Sequence, residues 1–405
     1  MPDISRRGAS AYSSPIRKLT PFADKAKREG KQIFHLNIGQ PDIKTPQVAI
    51  AKMQSTPVDV LAYSPSKGYL SLRKKLTEYY LRYNIPLDAE DILISTGASE
   101  GIFFTFLSCL DEGDEVIIPE PLYANYIGFA EYARCQVVPI TSYIDKGFSM
   151  PTCEDFESRI TPKTKAIMLC NPGNPTGCLY SESALRELAT MVKKHNLFLI
   201  VDEVYREFSY DDQKFFSALH LEGLEENVIV LDSISKRYSA CGARVGMVVT
   251  RNKEIMRILT QYSEVRLSPP TFGQILAEYL IDTPQNYLDE VKVEYVKRRN
   301  MLYDRLSAME DVICYLPGGA FYSFVQLPID DCDRFCRWLL EEFSYDNKTV
   351  MLAPGSGFYS TEGLGKQEVR IAYVLNTEDL GKAMDCLEEA LKVYPGRTAL
   401  VRTQR

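Results

Sequence analysis

Residues 233–244 place one lysine among hydroxyl side chains, with an arginine eight positions further on. Ser233 and Ser235 precede Lys236, and Arg244 follows a turn that contains a glycine. An amine becomes a useful nucleophile when burial or nearby positive charge lowers its pKa. The spacing therefore predicts a lysine that forms a Schiff base beside a bound phosphate. The alternative is an ordinary Lys-Arg turn after a strand.

Two further polar segments follow apolar runs. Residues 171–177 read Asn-Pro-Gly-Asn-Pro-Thr-Gly, which fixes an irregular backbone and presents the Asn174 amide. Asn174 is a candidate donor to a phenolate oxygen, and the alternative is an Asx turn. Asp202 follows the apolar run 197–201, where a carboxylate is costly to bury without a partner such as a pyridinium nitrogen. Tyr205 is predicted to reach the hydroxyl of the same ring; the alternative is a helix N-cap aspartate with a packed tyrosine.

A glycine-containing turn precedes the apolar helix predicted at residues 102–110. Backbone N–H groups at a helix start bind anions, so Gly97, Ala98 and Ser99 are candidates for a phosphate site that the 233–244 segment completes. Glycine-rich turns are common, and this signal is weak by itself.

Two isolated side chains extend the set of candidates. Tyr123 is a candidate to stack on a planar ring, and the alternative is a core tyrosine. Arg370 interrupts an apolar strand pattern, which favours a bidentate clamp for a substrate carboxylate over a solvated edge residue.

Short apolar runs alternate with helical periodicity through the middle of the chain. This alternation predicts an α/β fold with a mostly parallel central sheet. Because ligands bind outside the carboxyl ends of such strands, the segments that follow them are expected to face one crevice. The predicted strands are residues 115–119, 166–170, 197–201 and 228–231.

The remainder of the chain predicts a smaller α+β domain. Helical spacing over residues 284–309 indicates one long helix that could bridge two domains. We predict a large cofactor domain at 46–285 and a smaller domain built from 1–45 and 286–405.

Bulk composition excludes several classes of protein. The 405 residues carry 47 basic and 54 acidic side chains, a net charge of −7, so nucleic acid is an improbable partner. No run approaches the roughly 18 apolar residues of a membrane span, and the N-terminus has no apolar signal region, so we predict a cytoplasmic protein without a membrane partner. The ten cysteines show no CxxC pair and predict reduced thiols rather than a metal site.

These motifs together resemble the class I/II aminotransferases, which are pyridoxal-phosphate enzymes of fold type I and include the aspartate aminotransferases. The resemblance runs from the Asn-Ile-Gly-Gln-Pro segment at 37–41 to Arg370. It implies pyridoxal 5′-phosphate as the cofactor and a Schiff base on Lys236. It also implies that Asp202 pairs with the pyridine nitrogen and that Tyr205 and Asn174 bind the ring oxygen. The phosphate would be held by Ser233, Arg244 and the backbone of Ala98 and Ser99.

The same resemblance implies a substrate site and a partner subunit. Arg370, Asn174 and the backbone of Gly39 would bind the substrate α-carboxylate. Tyr63 would reach the phosphate of the neighbouring subunit, so a homodimer with shared active sites is implied. The chain departs from the family at Tyr123, where some members use tryptophan, and at Met247, where an aromatic residue is frequent.

The expected activity is a ping-pong aminotransferase reaction between an L-amino acid and a 2-oxo acid, in which Lys236 also moves the proton. Aspartate and 2-oxoglutarate are the best candidates as substrates. A carbon-sulfur lyase or another enzyme of the same fold is the alternative, and a non-catalytic cofactor sensor is a weaker one. A dicarboxylic substrate needs a second cation, for which Arg17, Lys18 and Lys67 are candidates.

Overall fold

A computed structural model describes residues 2–9, 11–211 and 213–400. Its strands, in chain order, are β1 Gln32–His35, β2 Ile92–Ser95, β3 Glu115–Glu120, β4 Gln136–Thr141, β5 Thr164–Cys170, β6 Phe198–Asp202, β7 Val228–Ser233, β8 Gly246–Val249, β9 Tyr322–Gln326, β10 Lys348–Met351, β11 Ala353–Pro354 and β12 Glu368–Ala372.

The α-helices alternate with these strands through the middle of the chain. They are α1 Arg6–Ala9, α2 Thr20–Arg28, α3 Gln47–Ser55, α4 Leu70–Leu81, α5 Gly97–Cys109, α6 Asn125–Ala133, α7 Cys153–Glu157, α8 Glu182–His195, α9 Ile234–Arg237, α10 Lys253–Arg266, α11 Thr271–Ile281, α12 Gln285–Ser307, α13 Cys332–Glu341 and α14 Thr377–Val393.

In the part of the chain that the structure describes, seven strands form the central sheet, in the order β2-β8-β7-β6-β5-β3-β4. Of these, β8 runs antiparallel to its neighbours β2 and β7, and the other pairs are parallel. The predicted mostly parallel α/β fold is therefore confirmed, and each of the four predicted strands is present with shifts of a few residues at its ends. Parallel pairing aligns the carboxyl ends of β5, β6 and β7, so Cys170 lies opposite Asp202, and Asp202 opposite Leu231.

Both faces of this sheet are buried, as expected for a parallel sheet covered by helices. Alternate residues of one strand enter different apolar clusters. Val230 packs with one cluster, and Ile229 and Leu231 pack with the other. The sheet is therefore covered on both faces, and the polar segments lie at the carboxyl ends of its parallel strands.

A second region packs around an antiparallel sheet of order β11-β12-β9 and the parallel pair β1-β10. The predicted long helix is present as α12, whose Leu288 belongs to the first apolar cluster and whose Leu302 belongs to that of the second region. This bridging favours the predicted division into 46–285 and 1–45 plus 286–405, which stays a prediction. Among the residues that the structure describes, no helix has the length and apolar character needed to cross a bilayer.

Candidate active site

A cavity of 330 Å³ opens at the carboxyl edge of the central sheet. It is lined by segments from both regions of the molecule, because β12 and the chain near residue 39 close it from the side opposite the sheet. The lining includes these residues singled out from the sequence: Gly39, Ala98, Ser99, Tyr123, Asn174, Asp202, Tyr205, Ser233, Ser235, Lys236, Arg244 and Arg370.

Lys236 lies on the single-turn helix α9, which begins directly after β7. Its Nζ donates to the Gly39 carbonyl oxygen at 2.8 Å and lies 3.8 Å from the Cys241 Sγ. Burial lowers the pKa of this amine below its usual value, and the nearby Arg370 charge acts in the same direction. Both effects favour the neutral amine, which is the form that attacks a carbonyl group.

Asp202 ends β6 and is only 4 % exposed. The Tyr126 hydroxyl donates to its Oδ2 at 2.7 Å, and the Val204 N–H donates to its Oδ1 at 3.2 Å. Burial raises the pKa of this carboxyl to about 6, although both hydrogen bonds oppose the shift. A cation placed beside Asp202 would lower this pKa again and stabilise the carboxylate, and a pyridinium nitrogen is such a cation.

Two side chains on loops after strands point to the same cavity. The Tyr205 hydroxyl lies 2.7 Å from the Tyr322 hydroxyl. Asn174 Oδ1 accepts from Arg370 Nη1 at 2.9 Å, which leaves the Asn174 NH₂ group as a donor. The peptide bonds before Pro172 and Pro175 are both cis in this loop.

A compact set of donors surrounds the N-terminus of α5. Ser233 Oγ lies 2.8 Å from Ser235 Oγ, and the Arg244 guanidinium is held by the carbonyl oxygens of Thr96 at 3.3 Å and Cys241 at 3.0 Å. Gly97 has a φ of +75°, and a Cβ there would lie 2.2 Å from Arg244 Nη2. Two hydroxyls, one guanidinium and the free N–H groups of a helix start are the donor set of a phosphate monoester site, so these residues fit the phosphate of the implied cofactor.

Arg370 lies in the middle of β12 and is 2 % exposed. Its Nη2 donates to the Asn37 carbonyl oxygen at 2.6 Å, and its guanidinium lies 4.5 Å from the centre of the Tyr322 ring. The Nε atom is buried and makes no hydrogen bond among the described residues. A buried guanidinium that faces a cavity without a carboxylate of its own can bind a carboxylate from a ligand.

The sequence matches the model of the family "Aminotransferase class I and II" over residues 31–387. The chain belongs to the class I and II aminotransferases. It is 30% identical over 395 residues to an aspartate aminotransferase of Pyrococcus horikoshii, a match that covers 96% of this chain and 97% of the relative. It is 31% identical to aromatic-amino-acid aminotransferase 2 of Thermococcus litoralis, with 96% of this chain and 98% of the relative covered.

Solved structures lead to the same family. The alanine aminotransferase of Pyrococcus furiosus superposes with a TM-score of 0.88 at 27% identity, covering 96% of this chain and all of that chain. The names of these relatives specify three different substrates. The chain is therefore an aminotransferase, while its relatives differ in the amino acid that their names specify.

Some residues singled out from the aminotransferase sequence lie outside the cavity. Gly97 does not line it and packs beneath Arg244 instead. Tyr63 is 80 % exposed on another surface of this protomer, so its predicted role would require a partner subunit. Lys18 pairs with Asp333 at 2.6 Å and Lys67 with Glu90 at 2.7 Å, both away from the cavity. Of the three candidate cations, Arg17 alone lines it.

Three side chains of this aminotransferase site were not predicted from the sequence. Tyr322, Tyr126 and Cys241 contact Tyr205, Asp202 and Lys236, respectively. The only sequence signals were the Gly-Gly pair before the strand of Tyr322 and the position of Tyr126 one helical turn after Tyr123. Neither signal separates a site residue from an ordinary core aromatic.

Proposed function

We propose that this aminotransferase moves the amino group of an L-amino acid, with aspartate as the best candidate, to a 2-oxo acid such as 2-oxoglutarate. The two substrates would use one cavity in turn, in a ping-pong reaction. The observation that carries the proposal is the placement of the partly buried Lys236 amine, the buried Asp202 carboxyl and the buried Arg370 guanidinium on the walls of that one cavity.

The residues present fit pyridoxal 5′-phosphate, the cofactor of this family. When bound, it supplies an electron sink that holds the amino group between the two half-reactions. In this proposal Asp202 keeps the ring nitrogen protonated, Tyr205 and Asn174 bind the ring hydroxyl, and Tyr123 stacks on the ring. The phosphate is bound by a set that comprises Ser233, Ser235, Arg244, the backbone of Gly97, Ala98 and Ser99, and Tyr63 of the neighbouring subunit.

Lys236 has two tasks in the proposed reaction. It would hold the cofactor, and, once the substrate amine has displaced it, its Nζ would take the proton from the substrate Cα and pass it to the cofactor. Burial lowers the pKa of this amine, which favours the neutral form that a general base requires. Arg370, Asn174 and the backbone of Gly39 would hold the α-carboxylate so that the Cα proton lies within reach.

We further propose a homodimer in which each active site uses residues of both chains. Val60, Leu61 and Tyr63 are 78, 61 and 80 % exposed. Leu61 and Tyr63 border a surface hollow together with the 268–271 segment, next to the exposed Leu267 and Phe272. A contiguous exposed apolar surface of this kind favours a subunit interface.

The ten free thiols fit the reducing cytoplasm that we propose as the location.

A half-reaction tests the proposal. Purified protein loaded with pyridoxal 5′-phosphate is mixed with single amino acids in the absence of any oxo acid, and the cofactor absorbance is followed. With aspartate or glutamate we expect the cofactor to pass to its amino form, with one equivalent of 2-oxo acid released. The Lys236→Ala variant serves as the control and should not turn over.

Other outcomes would contradict the proposal in different ways. Release of pyruvate or ammonia while the absorbance stays unchanged would assign the enzyme to the lyases. Failure to take up the cofactor would reject the cofactor site itself.

A further inference from the structure

The segment 11–19 crosses the mouth of the cavity and is fixed at three places. The Tyr12 hydroxyl donates to the Ala124 carbonyl oxygen at 2.8 Å, next to the start of α6. Pro15 packs so closely on Gly357 that a Cβ at that glycine would lie 2.2 Å from the proline Cβ. Lys18 forms its ion pair with Asp333 of α13. The segment is therefore positioned by both regions of the molecule that form the cavity.

This placement brings Ser14, Ile16 and Arg17 to the cavity wall. Arg17 begins a short 3-10 helix, Arg17–Leu19, and its N–H donates to the Ser14 carbonyl oxygen at 3.1 Å. Its side chain is exposed, at the mouth of the cavity. The backbone of Arg17 is thus fixed while its guanidinium remains free to meet a ligand.

Arg17 differs from the other charged groups that line the cavity in having no partner. Lys236 and Arg370 are bonded to main-chain or amide oxygens, and Arg244 is held by two carbonyl oxygens. Among the described residues, Asp202 is the one acidic side chain on the wall, and it is buried and bonded to Tyr126. Within residues 2–9, 11–211 and 213–400, the Arg17 guanidinium has neither an ion pair nor a hydrogen bond.

We infer that Arg17 binds the distal carboxylate of a dicarboxylic amino acid and of a dicarboxylic 2-oxo acid. The inference rests on the proposed aminotransferase reaction and assigns its substrate class. Arg370 serves the α-carboxylate, and a second guanidinium at the mouth offers its planar fork to a second carboxylate. Since both substrates of a ping-pong reaction occupy one cavity, the same arginine selects the donor and the acceptor.

An arginine away from the cavity supplies a matched control. Arg17→Met and Arg28→Met each remove one guanidinium, but Arg28, the last residue of α2, is exposed and does not line the cavity. For Arg17→Met we expect kcat/KM of the half-reaction with aspartate to fall about 10-fold, since a bidentate hydrogen bond between a guanidinium and a carboxylate contributes at this level. The value with alanine should change by less than about twofold in both variants, because alanine has no distal charge.

A binding measurement separates substrate recognition from catalysis. Succinate carries two carboxylates and no amino group, and propionate carries one; their dissociation constants can be read from the cofactor absorbance. Arg17→Met should weaken succinate about 10-fold and leave propionate unchanged, and Arg17→Lys should restore part of the loss. Equal losses for aspartate and alanine, or an unchanged succinate affinity, would overturn the inference. A wild-type protein that converts no amino acid at all would instead reject the proposed function.

Discussion

Burial shifts the pKa values of Lys236 and Asp202 in opposite directions, but in both residues it stabilises the neutral form relative to the charged form. Desolvation lowers the pKa of the amine and raises the pKa of the carboxyl to about 6, because burial penalises the charged form of each group. The Tyr126 hydroxyl counteracts this at Asp202, because its hydrogen bond stabilises the carboxylate. A tyrosine on α6 therefore adjusts the charge of a residue at the end of β6.

The Tyr126→Phe variant lacks only this hydroxyl group and tests whether its hydrogen bond stabilises the Asp202 carboxylate. Without the hydrogen bond the pKa of Asp202 should rise further, so the carboxylate would be lost at higher pH. We expect kcat to fall about 10-fold with little change in KM, the acid limb of the pH profile to move to higher pH, and cofactor affinity to fall. Tyr132→Phe is the control, since Tyr132 is on the same helix and 44 % exposed. An unchanged pH profile in Tyr126→Phe would show that Asp202 is charged without help from Tyr126.

At the scale of elements, the loop after β11 connects the two regions around the cavity. Glu120, at the end of β3, accepts from the N–H groups of Ser360 at 2.8 Å and Thr361 at 3.1 Å. The Tyr359 hydroxyl in the same loop donates to Glu368 Oε2 at 2.7 Å, at the start of β12. Burial raises the pKa of Glu368 to about 7. The strand that carries Arg370 therefore begins with a carboxyl group whose pKa is raised towards neutral pH and which the loop contacts through Tyr359.

This titration predicts a pH dependence of stability with a definite sign. Because the folded pKa of Glu368 exceeds the unfolded value of 4.5, the protonated side chain stabilises the folded state below pH 4.5, and this contribution is lost as the pH rises through about 7. It amounts to at most about 3 kcal/mol. We expect the unfolding temperature to fall between pH 5 and pH 8, and Glu368→Gln to weaken that dependence. Glu362→Gln, at an exposed site in the same loop, should reproduce the wild-type curve. Superimposable curves for all three proteins would mean that Glu368 does not titrate in this range.

At the scale of the whole molecule, the cavity is closed on several sides by this chain, but an apolar surface beside it is not covered. Leu61, Tyr63 and the neighbouring 267–272 segment form that surface, on the side of Thr96, which precedes the start of α5, the proposed phosphate site. A second copy that covers this surface would bring its own Tyr63 towards the cradle formed by Ser233, Ser235 and Arg244. The proposed dimer would then complete the active site as well as stabilise the fold.

A pair of leucines of equal exposure tests the interface. Leu61 is 61 % exposed and Leu81, at the end of α4, is 60 % exposed. Leu61→Asp should convert the dimer to monomers in sedimentation velocity and lower cofactor affinity, because a buried unpaired carboxylate is strongly unfavourable. Leu81→Asp should remain dimeric with normal activity. A Leu61→Asp protein that stays dimeric and active would place the interface elsewhere.

Several features of this aminotransferase could be predicted from the sequence because they depend on local order. Strand patterns, the polar segments after strands and the spacing from Ser233 to Arg244 are properties of short stretches, and parallel pairing brings such strand ends to one edge. These rules gave the fold class and most of the cavity wall. The assigned roles of those residues, and the boundary near residue 285, remain predictions.

Only the tertiary structure decided which distant side chains meet. Lys236 bonds to Gly39, Arg370 to Asn174 and Tyr205 to Tyr322, in pairs separated by 197, 196 and 117 positions. It also decided that Arg17 faces the cavity while Lys18 and Lys67 are paired elsewhere. Sequence periodicity indicates which side of a helix or strand is buried. It does not indicate which other helix or strand packs against that side. The environment of each catalytic group, and therefore its pKa and its choice of ligand, is set when the elements pack together.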